Sequence, residues 1–167
     1  SKRTYLTVEL GLQSVHDETA RLCNRCHSYE DFLKGFEMLK SRGINVCVHI
    51  VNGLPFESRE MMIETAETVG RLGIHSIKIH LLHILKGTRL GEMYENGEFE
   101  ALEMEDYVDI VCEQLERLPE DVIIQRVTGD GAKDDLIAPL WSLKKFCVMN
   151  EIDKKMAREN LCQGDKL

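Results

Sequence analysis

Short apolar runs rich in β-forming residues alternate along the chain with longer stretches whose apolar positions recur at helical spacing. That alternation predicts βα units around a mainly parallel sheet. TYLTVEL reads as the first strand. Ser28 is a helix cap with Asp31 as its capping-box partner, and Phe32, Leu33, Phe36 and Leu39 form one helical face up to about Lys40, with Gly43 as the stop. NVCVHIV predicts the second strand. Ser58 caps a helix through Met62, Ala66, Val69 and Leu72, and SIKIHLL supplies the third strand. Between Glu92 and Asp109 every charged residue is acidic, first in an expected loop around Asn96-Gly97 and then in a helix of Tyr107, Val111, Leu115 and Leu118 closed by Pro119. VIIQRV predicts a fourth strand. The turn TGDG follows, then a helical stretch from about Asp134 to Arg158, interrupted near Pro139.

Parity along each strand separates two faces. Leu6, Val8 and Leu10, then Val46, Val48 and Ile50, then Ile77, Ile79 and Leu81 form the apolar, helix-facing set. The other parity carries Thr7 and Glu9, then Cys47 and His49, then Lys78 and His80. Glu9, His49, Lys78 and His80 fall towards the carboxy-terminal ends of their strands, where parallel α/β folds place ligand sites. The bland alternative is that some of them only neutralise one another, as Glu9 and Lys78 would.

With 167 residues, 43% of them hydrophobic, the chain can bury a real core. The expectation is a single domain, with barrel βα units over about 1–118 and a strand plus helical extension over about 119–167. Twenty-nine acids against 21 bases give a net charge of −8, which argues against nonspecific binding to nucleic acid or anionic lipid. No apolar run approaches the roughly 20 residues that cross a bilayer, and no signal-peptide core precedes the first strand, so the expected location is cytoplasmic, with no membrane partner. Six scattered cysteines read as reduced thiols, and Cys47, Cys112 and Cys147 lie in apolar settings that suggest packed core thiols. Cys23, Cys26 and His27 fit the short haem-attachment string and half of a zinc site, and neither signal is specific at that length.

The segment from Glu9 to Ser28, ELGLQSVHDETARLCNRCHS, resembles the radical S-adenosylmethionine (radical SAM) pattern. In that pattern a strand ends in Glu, Gly-x-Gln-Ser follows, and a helix carries Arg-x-His at a fixed distance beyond the Gln. Here those residues are Gln13, Ser14, Arg25 and His27. GLP at Gly53, Leu54 and Pro55 and the Lys-Gly-Thr-x-Leu turn in HLLHILKGTRL continue the likeness over roughly residues 5–95, and TGDG and LIAPLW extend it to a bacterial group of radical SAM iron–sulfur oxidoreductases.

The resemblance implies the carboxy-terminal portion of a partial, half TIM-like βα barrel. It places Arg25 on the carboxylate of S-adenosylmethionine, Gln13 with Ser14 near the ribose, and Glu9 at the methionyl end. His49 stands where the family often has an Asp on ribose hydroxyls, and Gly53, Leu54 and Pro55 would border the adenine. Lys78 and His80 would line part of the substrate cavity. The family's 5′-deoxyadenosyl-radical chemistry also needs a 4Fe-4S cluster on Cys-x3-Cys-x2-Cys, a triplet this sequence does not contain. The chain is therefore expected to be a fragment of a longer radical SAM enzyme and inactive alone, with a small-molecule cofactor and a substrate left open among tRNA, peptides and metabolites. A half barrel has two uncovered edges, so a homodimer through them is expected. The competing reading is a noncatalytic βα module with a structural metal at Cys23 and Cys26 or a protein-interaction role.

Overall fold

A computed structural model describes residues 5–129, 131 and 133–167, so Thr4 of the first expected strand and Asp130 of TGDG lie outside the described residues. The apolar parity of the strands sets the architecture. Strands β1 (Thr7–Gln13), β2 (Asn45–Asn52), β3 (Ser76–Leu81) and β5 (Ile123–Arg126) form a four-stranded parallel sheet in the order β1-β2-β3-β5. Leu12, Val46, Val48, Ile50, Ile77, Ile79 and Leu81 are buried on one face. Helices α2 (Tyr29–Lys40), α3 (Arg59–Arg71) and α5 (Met104–Glu116) cover that face with Phe32, Phe36, Ala66, Val69, Tyr107, Val111 and Leu115. The result is the parallel, helix-covered part of a TIM-like barrel, its other face open.

Several local signals act as the sequence suggests. Ser28 and Asp31 form the capping box of α2, and Ser58 caps α3 by accepting from the Met61 amide. Other elements differ. The first strand starts later than TYLTVEL and runs through Glu9 to Gln13, while Arg25 and His27 lie in the turn after the short helix α1 (Asp17–Leu22) instead of on it. Helix α4 (Arg89–Glu95) takes up Glu92 and Glu95, which the pattern assigns to a loop, while Asn96 and Gly97 form the expected turn after it. Two short strands, β4 (Ile84–Leu85) and β6 (Leu136–Ala138), pair antiparallel beside the main sheet, and β6 replaces the start of the expected carboxy-terminal helix. A 3-10 turn at Leu140–Leu143 then leads into α6 (Lys145–Glu159), which packs on α5 through Val148 and Ile152. All six cysteines are free thiols; Cys47 and Cys112 are buried, but Cys147 is exposed, on the outward side of α6.

A buried amide pair ties the sheet to its helices. Asn52 at the end of β2 and Gln114 on α5 exchange hydrogen bonds of 2.9 and 2.8 Å, and Gln114 also donates to the Met62 carbonyl of α3 at 2.8 Å. Each buried amide group is thus satisfied where water cannot reach.

Candidate functional site

The strand register aligns Gly11, His49, Lys78 and Arg126 side by side across β1, β2, β3 and β5. Glu9 is on β1, two residues before Gly11. Lys78 Nζ donates to Glu9 Oε1 at 2.6 Å, and His49 Nε2 lies 2.9 Å from Glu9 Oε2. The Lys78 hydrogen bond, against the opposing effect of burial and with the charges of Lys78 and His49 adding to it, holds the Glu9 carboxyl below its usual range. The Glu9 side chain is 49% exposed and that of Lys78 only 19%. His80 tilts against His49 with ring centroids 5.1 Å apart. Burial first, then the neighbouring His49, Arg126 and Lys78, brings the His80 pKa down to about 4, so the ring is neutral at neutral pH. Its Nε2 is buried and has no hydrogen-bond partner among the described residues. Burial likewise lowers the pKa of His49.

A second group meets at the end of β1, where the pairing with β2 becomes irregular between Gly11 and Gln13 and Gln13 adopts a φ of 73°. That backbone turn brings the Gln13 amide between two partners: its nitrogen donates to the His49 carbonyl at 3.3 Å and its oxygen accepts from Arg25 Nη1 at 3.1 Å. Arg25 Nη2 also donates to the Gly11 carbonyl, and Arg25 Nε donates to His27 Nε2 at 3.0 Å. A β-carbon on Gly11 would lie 3.2 Å from the end of the Gln13 side-chain amide and 3.4 Å from Arg25 Nη2, so the glycine makes room for both side chains.

Behind this group the Ser14 hydroxyl donates to the Glu57 carboxylate, which Thr19 also reaches. Burial pushes the Glu57 pKa up, and the two hydroxyl hydrogen bonds oppose that rise. Glu57 therefore joins the loop after β1 to the loop after β2. In the second loop, Gly53 takes a φ of 84°, and a β-carbon there would come within 3.2 Å of Leu102 Cδ1. Leu54 and Pro55 are buried. Leu54 joins Leu12, Gln13, Ser14, Thr19, Cys23 and Arg25 around a cavity of about 290 Å³. A larger groove of about 790 Å³ lies elsewhere, lined by Tyr94, Leu102, Ile137 and Trp141 with Glu100, Glu103 and Asp106, and no residue of the sheet row borders it.

The residues expected from the sequence thus form two adjoining sets, Glu9, His49, Lys78 and His80 on the open face and Gln13, Ser14, Arg25 and Leu54 around the cavity, with Gly53 and Pro55 in the turn behind. Gly11 is the glycine of the Gly-x-Gln-Ser string, although its place beside Arg25 is not legible there; Thr19, Glu57 and Arg126 carry no signal in the sequence pattern. Of the TGDG turn, Gly129 and Gly131 lie against the His83 ring.

A mixed apolar and polar cavity lined by a guanidinium and an amide suits the adenine, ribose hydroxyls and carboxylate of S-adenosylmethionine, while the half-exposed Glu9 carboxylate stands outside that lining on the open face. An iron–sulfur cluster does not suit these residues. Among the described residues no group of three or more His, Cys, Asp or Glu side chains is arranged to hold a metal ion.

Parallel strands covered by helices on one face define part of a TIM-like βα fold; His49 and His80 lie towards the carboxy-terminal ends of β2 and β3 as expected, but Glu9 and Lys78 are only the third residues of β1 and β3, below the strand ends. Residues 2–69 match the Radical SAM superfamily and residues 74–158 match the Radical_SAM C-terminal domain; the chain belongs to the radical SAM superfamily. It is 49% identical over 164 residues to the uncharacterised protein YtqA of Bacillus subtilis, covering 98% of this chain and 51% of that protein. It is 33% identical over 126 residues to a tRNA uridine(34) acetyltransferase of Methanocaldococcus infernus, covering 74% of this chain and 24% of that one. A solved structure of Methanocaldococcus infernus Elp3 with an amino-terminal deletion superposes with a TM-score of 0.82 at 26% identity, over 95% of this chain and 37% of Elp3. The chain spans about half the length of YtqA.

Proposed function

We propose that this chain is the carboxy-terminal part of a radical SAM enzyme, supplying the wall that binds S-adenosylmethionine and part of the substrate cavity. The observation that carries this reading is the convergence of Arg25 and Gln13 on the Gly11 and His49 backbone, next to a row of ionisable side chains on the open face of the sheet. When bound, S-adenosylmethionine supplies the 5′-deoxyadenosyl-radical chemistry of the family. No step through the 4Fe-4S cluster is assigned to these residues.

The roles follow from side-chain chemistry. The planar fork of Arg25 suits a carboxylate, and burial, which lowers its pKa, leaves so strong a base charged. The Gln13 amide offers both a donor and an acceptor to ribose hydroxyls, with the adjacent Ser14 holding that loop to Glu57. The half-exposed Glu9 carboxylate suits an ammonium, and His49 a hydroxyl. Leu54 with the Gly53 and Pro55 turn gives the adenine an apolar border. His80 presents a neutral imidazole towards the substrate side, beside Lys78. A tRNA substrate is one proposal, supported by the name of the acetyltransferase relative.

Calorimetric titration of S-adenosylmethionine into the wild-type chain and Arg25→Ala tests the reading. A saturable wild-type isotherm weakened about tenfold or more by the substitution is expected, the size of a lost charge-assisted hydrogen bond. Equal affinity of the two proteins overturns it.

A further inference from the structure

The groove of about 790 Å³ draws its walls from three parts of the chain: Tyr94 of α4, Glu100, Glu103 and Asp106 where the chain enters α5, and Ile137 and Trp141 on the stretch that begins with β6. One wall is ordered in advance. Trp141 Nε1 donates to the Leu102 carbonyl at 3.0 Å, and the indole packs on the buried Tyr107 ring with centroids 5.5 Å apart. Such a wall loses little freedom when a ligand binds.

Two features set this groove apart from ordinary surface. The first is apolar: Leu140 on its rim is exposed, and Leu143 and Phe146 farther along the chain are exposed as well. Residues at i and i+3 eclipse in a 3-10 turn, so Leu143 lies on the same side as Leu140. The second is charge. Glu100, Glu103 and Asp106 are exposed, and none of them forms an ion pair with a described residue. Asp106 complements the α5 dipole from its first turn, but Glu100 precedes the helix, and the Glu103 side chain at the N-cap makes no capping hydrogen bond. We infer that this groove docks a basic, partly apolar peptide segment of a partner protein, with apolar side chains on Leu140 and Trp141 and lysines or arginines on the three carboxylates. The aromatic walls favour the same cations. Nucleic-acid phosphates and a second copy of this acidic face are repelled. The groove shares no lining residue with the proposed cofactor cavity, so the two readings stand or fall separately.

Trp141 is the only tryptophan, so its emission reports on the groove directly. The probe is a short peptide of alternating leucine and lysine, with matched peptides that carry serine or glutamate in place of lysine. The lysine peptide is expected to change Trp141 emission saturably, with an affinity that falls as salt rises. The triple variant Glu100→Gln, Glu103→Gln, Asp106→Asn should bind it about tenfold more weakly. A second triple variant, Glu18→Gln, Glu37→Gln, Glu120→Gln, removes the same charge from exposed positions outside the groove and should stay near the wild type. Leu140→Ser should weaken binding with no change in charge. The inference is overturned if the lysine peptide does not bind, if the two triple variants bind it alike, or if the serine peptide binds as tightly. Binding seen by calorimetry that leaves Trp141 emission unchanged, or an equal response to spermidine at the same concentration, overturns it as well.

Discussion

The Gly11 carbonyl accepts a hydrogen bond from Arg25 Nη2, and a β-carbon on Gly11 would stand 3.4 Å from that same nitrogen. The residue that receives the guanidinium is thus also the one that makes space for it. Arg25 has left helix α1 by this point, and its own backbone amide donates to the Ala20 carbonyl at 2.8 Å. A strand residue without a side chain, and not the helix, sets where the guanidinium rests.

Gly11→Ala is accordingly expected to push Arg25 and Gln13 out of register with the cavity while the hydrophobic core stays intact. Affinity for S-adenosylmethionine should fall about tenfold, as when one hydrogen bond to a charged group is lost, with little change in the melting temperature. Parallel calorimetry and thermal melts check both halves of the expectation.

The Asn52–Gln114 pair should show the opposite behaviour, a stability effect out of proportion to the atoms changed. Gln114→Met keeps the volume but leaves the Asn52 amide and the Met62 carbonyl without their partner in the interior, at a cost of about 2–3 kcal/mol. The Asn52→Leu, Gln114→Met double variant removes both sets of polar atoms and is expected to lose less than the sum of the single changes. Urea denaturation of the four proteins measures the coupling.

Stability should also depend on pH through His80. Its folded pKa, about 4, lies below the ordinary histidine value, so the unfolded chain binds the proton more tightly. This contribution is complete above the ordinary value near 6.5 and is lost as pH falls towards about 4. Melting temperatures across that window should fall with pH, and His80→Gln should flatten the slope. An NMR titration placing His80 at or above 6.5 would contradict the assignment.

Much of the sheet is legible in the sequence because a strand's side chains alternate and its core face needs apolar residues. Val46, Val48 and Ile50 against His49 reveal β2 and its polar face together. The same parity singles out Glu9, Lys78 and His80, each set between apolar neighbours on its strand. Strands β4 and β6 escape notice because two and three residues are too few to show a period, and LIAPLW is as apolar as a helix face. Arg126 belongs to the site through register, a relationship between strands that no single segment carries, and the same register gives Gly11, already in the Gly-x-Gln-Ser string, its place beside His49. Glu57 hides for another reason: an acid just before a helix cap reads as an ordinary complement to the helix dipole, yet its partners are Ser14 and Thr19, far away in sequence.

Strands β1 and β5 are the outer strands of the main sheet, and Tyr5, Leu6 and Ile123 at these edges are exposed. Unpaired strand edges next to apolar side chains favour pairing with another chain. Sedimentation velocity on the chain alone is expected to show a monomer–dimer equilibrium that shifts with concentration. A single monomeric species across the accessible concentration range would count against it.

The most direct test of the proposed site is a backbone-amide NMR map of the chain titrated with S-adenosylmethionine. Shifts centred on Gly11, Gln13, Arg25, His49 and Leu54, saturating together and absent from the groove at Tyr94 and Trp141, are the expected result. Shifts centred on that groove, or none on β1 and β2, would contradict the assignment of this wall to the cofactor.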